Sequence, residues 1–348
     1  MSEMNRREFI QKSLFAMAGL GFISCEDDPP TEPWDDSPGA LQGIGSPTKI
    51  VIIGAGLSGL VAGFELKRAG HDITILEARD RVGGRVLTLR EPFSDGLIAE
   101  AGAARIPYNH DLTLGYADYF GLKIDSFYPD EGLYADYSGG VRTLIPPEEF
   151  LEDQPWSGSV LHSEYSKIIG GSDQLPKAFT ESLMEEIYLN NPVKSIEQSQ
   201  HKVIVKVMDN TEFPAKKVLC TVPIPVLKNI TFNPPLSPEK IAAISGGYDY
   251  TPASRVFIQL NDRFWENEGL NGFANTDWPE EIWHPSWNRG KQKGVLLSYL
   301  RSNRALENDQ LSEINRIGQV INRWENIFPG IQSHVDVGHS ISWMDEKW

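Results

Sequence analysis

The sequence predicts an α/β fold in which a parallel, doubly wound unit is interleaved with an α+β unit built on a mixed sheet. Three observations predict it. Lys49 to Ile53 is a β-branched run of the kind that forms a buried parallel strand, and Gly54, Gly56 and Gly59 follow it directly with G-x-G-x-x-G spacing. Leu57 to Ala69 then reads as an apolar helix ended by Gly70, and Asp72 to Leu76 as a second strand. Farther on, alternation across Asn190 to Val207 predicts a hairpin, and Val256 to Leu260 and Val295 to Tyr299 predict strands of the mixed sheet. Ser312 to Ile327 places Ile314, Ile317, Val320, Ile321, Trp324 and Ile327 at helical spacing before Pro329.

Each part of the first unit has a physical task. Gly54 permits a tight turn, Gly56 lets a pyrophosphate approach the backbone, and Gly59 lets the helix pack closely on the strand. Phosphates placed there meet free N–H groups and the positive end of the helix dipole. The second strand delivers Glu77 about 20 residues beyond the glycines, where a carboxylate takes ribose hydroxyls. Strand, glycines, helix, strand and acid agree, which separates a Rossmann-like dinucleotide site from a mere glycine-rich turn.

The stretch Arg79-Asp-Arg-Val-Gly-Gly-Arg85 adds a second glycine pair and three arginines. It resembles the two-dinucleotide-binding (GR2-type) flavoproteins, and closely the flavin monoamine oxidase and L-amino-acid oxidase family. Further segments match that family in order: Glu100-Ala-Gly-Ala-Ala-Arg-Ile-Pro107, Ile168 to Pro176, Asn191 to Ile196, Leu219 to Pro223, Phe232 to Pro238 and Arg263-Phe-Trp-Glu266. The resemblance implies FAD as cofactor, held by Gly54, Gly56, Leu57, Ser58, Gly59, Glu77, Ala78, Arg79, Gly84 and Arg85. It adds the loop Gly102, Ala103, Ala104 and Arg105 beneath the flavin ring, and Val193 at the adenine. It divides the chain into FAD-binding segments at 48–110 and 166–230 and substrate-domain segments at 111–165 and 231–348.

The family's chemistry, hydride transfer from the substrate α-carbon to flavin N5, belongs mainly to the cofactor. Arg105 stands where L-amino-acid oxidases carry the arginine that binds the substrate carboxylate, a bidentate task suited to a guanidinium. The alternative is an arginine that pairs a structural acid or a flavin phosphate. Trp283 or His284 in Ile282-Trp-His-Pro285 matches the family's aromatic pocket segment, and Trp343 the tryptophan near the ring; core packing is the rival for each. Arg255 replaces a lysine that reaches N5 through water, so it is either a catalytic substitute, a second anchor or a structural ion pair. Two more departures are expected. Gly140 to Gly170 is shorter than the family's helical insertion, and the closing strand–helix with its Gly-Glu motif has no equivalent. The expectation is therefore a fragment of a longer oxidase or a truncated relative. The leading expectation is oxidation of an L-amino acid with O2 to a 2-oxo acid, ammonia and H2O2. Its rivals are a monoamine or polyamine oxidase and a non-catalytic flavin-fold surface lipoprotein.

Composition bounds the rest. At 348 residues the chain has room for two cores, and its net charge of -16 excludes nucleic acid as an expected partner. The seven His include no H-x-x-x-H pair and there are two Cys, so no metal site is expected. Cys220, in an apolar strand, is expected to be a buried thiol. Asn5-Arg-Arg-Glu-Phe-Ile10 followed by apolar Leu14 to Ile23 reads as a twin-arginine export leader. Phe22-Ile-Ser-Cys25 resembles a lipobox, with ordinary cleavage after Ala16-Met-Ala18 as the alternative. Segment 1–25 is thus a leader and 26–47 an acidic, Pro- and Ser-rich tether. The expected location is periplasmic or cell-surface, with a lipid on Cys25 as the membrane contact. A palmitate analogue should label the protein and the label should vanish in Cys25→Ser; an unlabelled parent protein rejects the anchor.

Overall fold

The computed structural model describes residues 46–153, 160–248, 250–278, 281–289 and 292–348, with positions 38 and 41. The expected leader and almost all of the expected tether lie outside the described residues. Ser37–Trp348 forms one compact unit, within which the sheets of both expected layers lie.

β1 (Lys49–Ile53) sits at the centre of a four-stranded, all-parallel sheet between β2 (Asp72–Leu76) and the strand Lys217–Cys220, with Ile187–Tyr188 beyond β2. Val51 and Ile52 are fully buried, as a strand covered on both faces requires. α1 (Leu57–Arg68) returns over the sheet and ends at Ala69 and Gly70, whose φ of +87° only glycine adopts readily. Close helix–sheet packing falls on Gly63, where a Cβ would stand 2.7 Å from Ile75 Cδ1. Gly59 instead abuts the turn, since a Cβ there would lie 2.0 Å from the Gly54 carbonyl oxygen. Cys220 is exposed, not buried, because its strand is the edge of the sheet and the thiol stands at the strand's end.

The hairpin appears as Val193–Gln198 and Val203–Val207, in a second four-stranded sheet. A seven-stranded mixed sheet carries the second layer, in the order Val335–Ser342, Ala253–Leu260, Gly294–Arg301, Glu281–Trp283, Leu270–Thr276, Leu133–Ser138, Val141–Ile145. Its period of two sorts the side chains. Val256, Ile258, Leu260, Ile282 and Leu296 face Val320, Trp324 and Ile327, which belong to or follow the helix Glu313–Trp324. Phe257, Trp283, Val295 and Leu297 face the other way, into an aromatic core with Phe127, Tyr128 and Phe273. The helix begins at Ser312, whose side chain accepts from the Asn315 amide at 3.4 Å. Between Gly140 and Gly170 stand the strands Val141–Ile145 and Tyr165–Ile168 and the short helix Pro147–Glu152.

Among the described residues no helix is long and apolar enough to cross a membrane. Trp324 is fully buried beneath the seven-stranded sheet. Trp324→Ala should therefore cost about 3–5 kcal/mol in urea unfolding; a loss under about 1 kcal/mol would show that this helix face is not a core.

Candidate active site

The turn after β1 is built to leave donors open. Gly54 has φ +100° and its amide donates to the Leu76 carbonyl at 2.8 Å, which pins the turn to the end of β2. α1 starts at Gly56 with no side-chain cap and no acid in its first turn, so the leading N–H groups at Leu57, Ser58 and Gly59 face an anion-binding position. A second glycine turn lies against the first. Gly56 bridges Gly83, and a Cβ on Gly84, itself at φ +56°, would stand 3.1 Å from Gly56 Cα.

Glu77 is buried at the end of β2. Its Oε2 accepts from the Ala55 amide at 2.7 Å and its Oε1 from the Arg79 amide at 2.9 Å. Each oxygen retains a lone pair for a ribose hydroxyl. Ala78 follows, half-buried, and Asn191, two residues before the buried Val193, donates to the Glu77 carbonyl at 2.8 Å. Arg79 pairs with Glu346 at 2.8 Å and also reaches the Trp348 carbonyl. Arg85 is exposed beside the glycines. An uncapped helix start, a buried carboxylate with spare lone pairs and adjoining arginines fit the pyrophosphate and ribose of FAD.

The loop Glu100 to Arg105 joins this groove to the seven-stranded sheet. Ala101 and Ala103 donate to the carbonyls of Leu87 and Arg85 at 2.8 and 3.0 Å, and a Cβ on Gly102 would lie 2.0 Å from the Arg85 carbonyl oxygen. From the sheet, Arg255 Nη1 donates to the Glu100 and Gly102 carbonyls, both at 2.5 Å. Trp343 Nε1 donates to the Ala101 carbonyl at 2.7 Å. Of the loop's small residues, Ala104 is buried and Ala103 exposed.

Arg105 leaves the loop into an aromatic enclosure. Its Nη1 donates to Tyr128 Oη at 2.8 Å and to Glu281 Oε2 at 3.1 Å, and its guanidinium lies 4.7 Å from the Trp283 ring and 5.5 Å from the Tyr165 ring. Both polar contacts run through one nitrogen, which leaves Nη2 and Nε among the described residues for a ligand. Burial works against its charge, but Tyr128 and Glu281 outweigh it and hold Arg105 firmly protonated. Glu281 also accepts from Trp283 Nε1 at 2.7 Å and stands 3.8 Å from Arg301. Arg255 lies against the same indole, 5.2 Å from its ring and 4.6 Å from that of Tyr299. Burial lowers its pKa, yet a guanidinium remains charged there.

Strand register explains this gathering. Arg255 and Glu281 both oppose Tyr299, and Trp283, two residues after Glu281, shares its face. His284 falls on the opposite face. It is buried, its Nδ1 contacts the Val295 carbonyl at 2.9 Å, and its ring meets Trp265 edge-on at 5.4 Å. Burial and then Arg263 push its pKa far down, so it is a neutral core imidazole apart from the Arg105 enclosure. Sequence reasoning missed Glu281, Tyr299, Tyr128 and Tyr165. The first two are picked out only by the register of three paired strands, which the sequence does not show; the other two carry no pattern. Among the described residues no group of three His, Cys, Asp or Glu is placed to hold a metal ion.

A family model described as flavin containing amine oxidoreductase matches residues 57–161 and 153–348. A Bacillus subtilis (strain 168) protein, provisionally named an L-amino-acid oxidase, is 30% identical over 393 residues, spanning 85% of this chain and 82% of its own. The L-amino-acid oxidase of Protobothrops flavoviridis is 27% identical over 391 residues, spanning 84% and 77%. Both alignments are longer than this chain, so these relatives carry insertions without a counterpart here. Among solved structures, an engineered putrescine oxidase superposes with a TM-score of 0.75 at 19% identity, covering 86% of each chain. Cyclohexylamine oxidase from Brevibacterium oxydans IH-35A gives 0.74 at 15% identity, covering 87% and 86%. At such identities these two speak for the fold alone.

Glu100 lies under the loop, accepting from Ser172 N at 2.7 Å and Thr88 Oγ1 at 2.8 Å, and burial pushes its pKa from 4.5 up to about 7. A raised carboxyl pKa means stability that is present below 4.5 and lost as pH rises through about 7. Glu100→Gln should remove that dependence, gaining up to ~3 kcal/mol on the parent between about pH 4 and about pH 8 in urea unfolding. An equal difference at both pH values rejects the coupling.

Proposed function

The chain belongs to the flavin-containing amine oxidoreductase family, with FAD as its cofactor, and on that premise we propose that it oxidises the α-amino group of an L-amino acid. The observation that carries this reading is Arg105, half-buried among aromatic rings with one edge of its guanidinium uncommitted among the described residues. A carboxylate is the ligand that such an edge binds best, through two parallel charge-assisted hydrogen bonds. The relatives named as L-amino-acid oxidases support the same choice.

FAD, when bound, supplies the two-electron acceptor for the substrate C–H bond, with O2 as the proposed reoxidant. The chain's own residues set the geometry. Arg105 fixes the carboxylate, and Tyr128 and Glu281 fix Arg105. Trp283, Tyr299 and Tyr165 exclude water, which strengthens the ion pair. Arg255 holds the loop carbonyls and, being permanently charged, acts as a fixed cation that carries no proton. A second reading, oxidation of a plain amine, draws on Glu281 as a partner for an ammonium group. That carboxylate is already engaged by Arg105 and Trp283, so the carboxylated substrate is the stronger proposal.

Arg105→Ala should retain the bound-flavin absorbance while raising KM for L-amino acids about 100-fold, the worth of a paired, charge-assisted contact. Arg105→Lys, which keeps the charge without the fork, should fall between. An unchanged KM, or faster turnover of plain amines than of amino acids by the parent protein, rejects the proposal.

A further inference from the structure

The strand Val335–Ser342 leads into the segment 343–348, which ties the loop Glu100 to Arg105 to the second glycine turn. At one end Trp343 Nε1 donates to the Ala101 carbonyl at 2.7 Å. At the other, Glu346 Oε2 stands 2.8 Å from Arg79 Nη2, which also donates to the Trp348 carbonyl. Arg79 Nη1 and Arg81 Nη2 both donate to the Gly84 carbonyl, at 3.4 and 3.0 Å. Gly84 lies against Gly56 at the uncapped start of α1. Two guanidinium groups on one carbonyl oxygen repel each other and draw an anion. Burial and then Arg79 lower the Arg81 pKa, and Glu346 leads the carboxylates that oppose them. Glu346 thus acts on both cations. The Arg79 side chain is 11% exposed and that of Glu346 37%, so the cation is fixed in the wall and the carboxylate is the partner free to leave.

We propose that Glu346 competes with the pyrophosphate of FAD for the Arg79–Arg81 cation pair, so that cofactor binding releases the far end of segment 343–348 from the second glycine turn. A single carboxylate holds the pair less firmly than a group of greater charge that also meets the open N–H groups of α1, so the exchange runs toward the cofactor. No covalent bond changes. The tie at Trp343 stays, because the indole and the Ala101 carbonyl take no part in the exchange. Segment 343–348 is therefore a strap hinged at the loop that carries Arg105 and latched at the glycine turn. The convergence of two guanidinium groups and one carboxylate at Gly84 carries the proposal. It rests on FAD as the ligand of Arg79 and is independent of the substrate proposed above.

The test titrates FAD into the full chain stripped of flavin and follows the quenching of flavin fluorescence. Glu346→Gln should lower the Kd about fivefold, the scale of a partly exposed ion pair taken from the competing side. Glu307→Gln, the same change of net charge on an exposed position of the helix Asn303–Asp309, should leave the Kd where it is. Arg79→Gln should raise the Kd about tenfold, and in that background the gain from Glu346→Gln should fall below about twofold. Hydroxyl-radical footprinting of the parent chain should find Trp348 more oxidised with saturating FAD than without it. Weaker FAD binding in Glu346→Gln, or a Trp348 shielded by FAD, makes the strap a support of the cofactor and overturns the competition. An unchanged Kd in Glu346→Gln or in Arg79→Gln, or an equal gain in Glu307→Gln, overturns it as well. No substrate enters these measurements, so their result and that of the Arg105 variants are read separately.

Discussion

The arrangement depends on one buried cation. Arg255 projects from the seven-stranded sheet and spends its hydrogen bonds on the Glu100 and Gly102 carbonyls of the loop that leads to Arg105. Removing a guanidinium from water costs several kcal/mol, and no carboxylate among the described residues pairs with it to offset this. Two carbonyl dipoles and the faces of Trp283 and Tyr299 do so instead. The loop is therefore fixed from the substrate side as well as from the groove side, where it is sewn to the Arg85–Leu87 backbone. Arg105 inherits its position from both.

Around that tie the charges are placed by what burial permits. Arg105 stays charged because Tyr128 and Glu281 compensate its desolvation. Glu100 and Lys167, without such partners, drift toward neutrality from opposite directions. The same burial thus makes one group a fixed binding charge and leaves two others proton-mobile.

The parallel layer was legible in the sequence because each residue there answers a local demand: a φ only glycine tolerates, a β-branched strand, a carboxylate at a strand end. β1 and β2 begin and end where the sequence placed them, and α1 stops one residue early. Gly63 escaped notice because its reason, the nearness of Ile75, is tertiary. The choice between Trp283 and His284 also lay beyond the sequence, since three residues of strand are too few to show a period. Tyr128 and Tyr165 come from segments with no pattern pointing inward. Cys220 misled because an apolar strand at a sheet edge reads like one at its centre.

The parity of the seven-stranded sheet has a consequence for how this lineage can change. Arg255, Tyr299, Glu281 and Trp283 meet because three neighbouring strands are held in one register, with Arg255 and Glu281 both opposite Tyr299. Inserting one codon between Glu281 and Trp283 would turn the indole outward and offer the enclosure a different side chain, with no substitution at all. Length variation is therefore confined to the connections between these strands, and substrate range in descendants of this chain would shift by altering side chains in place.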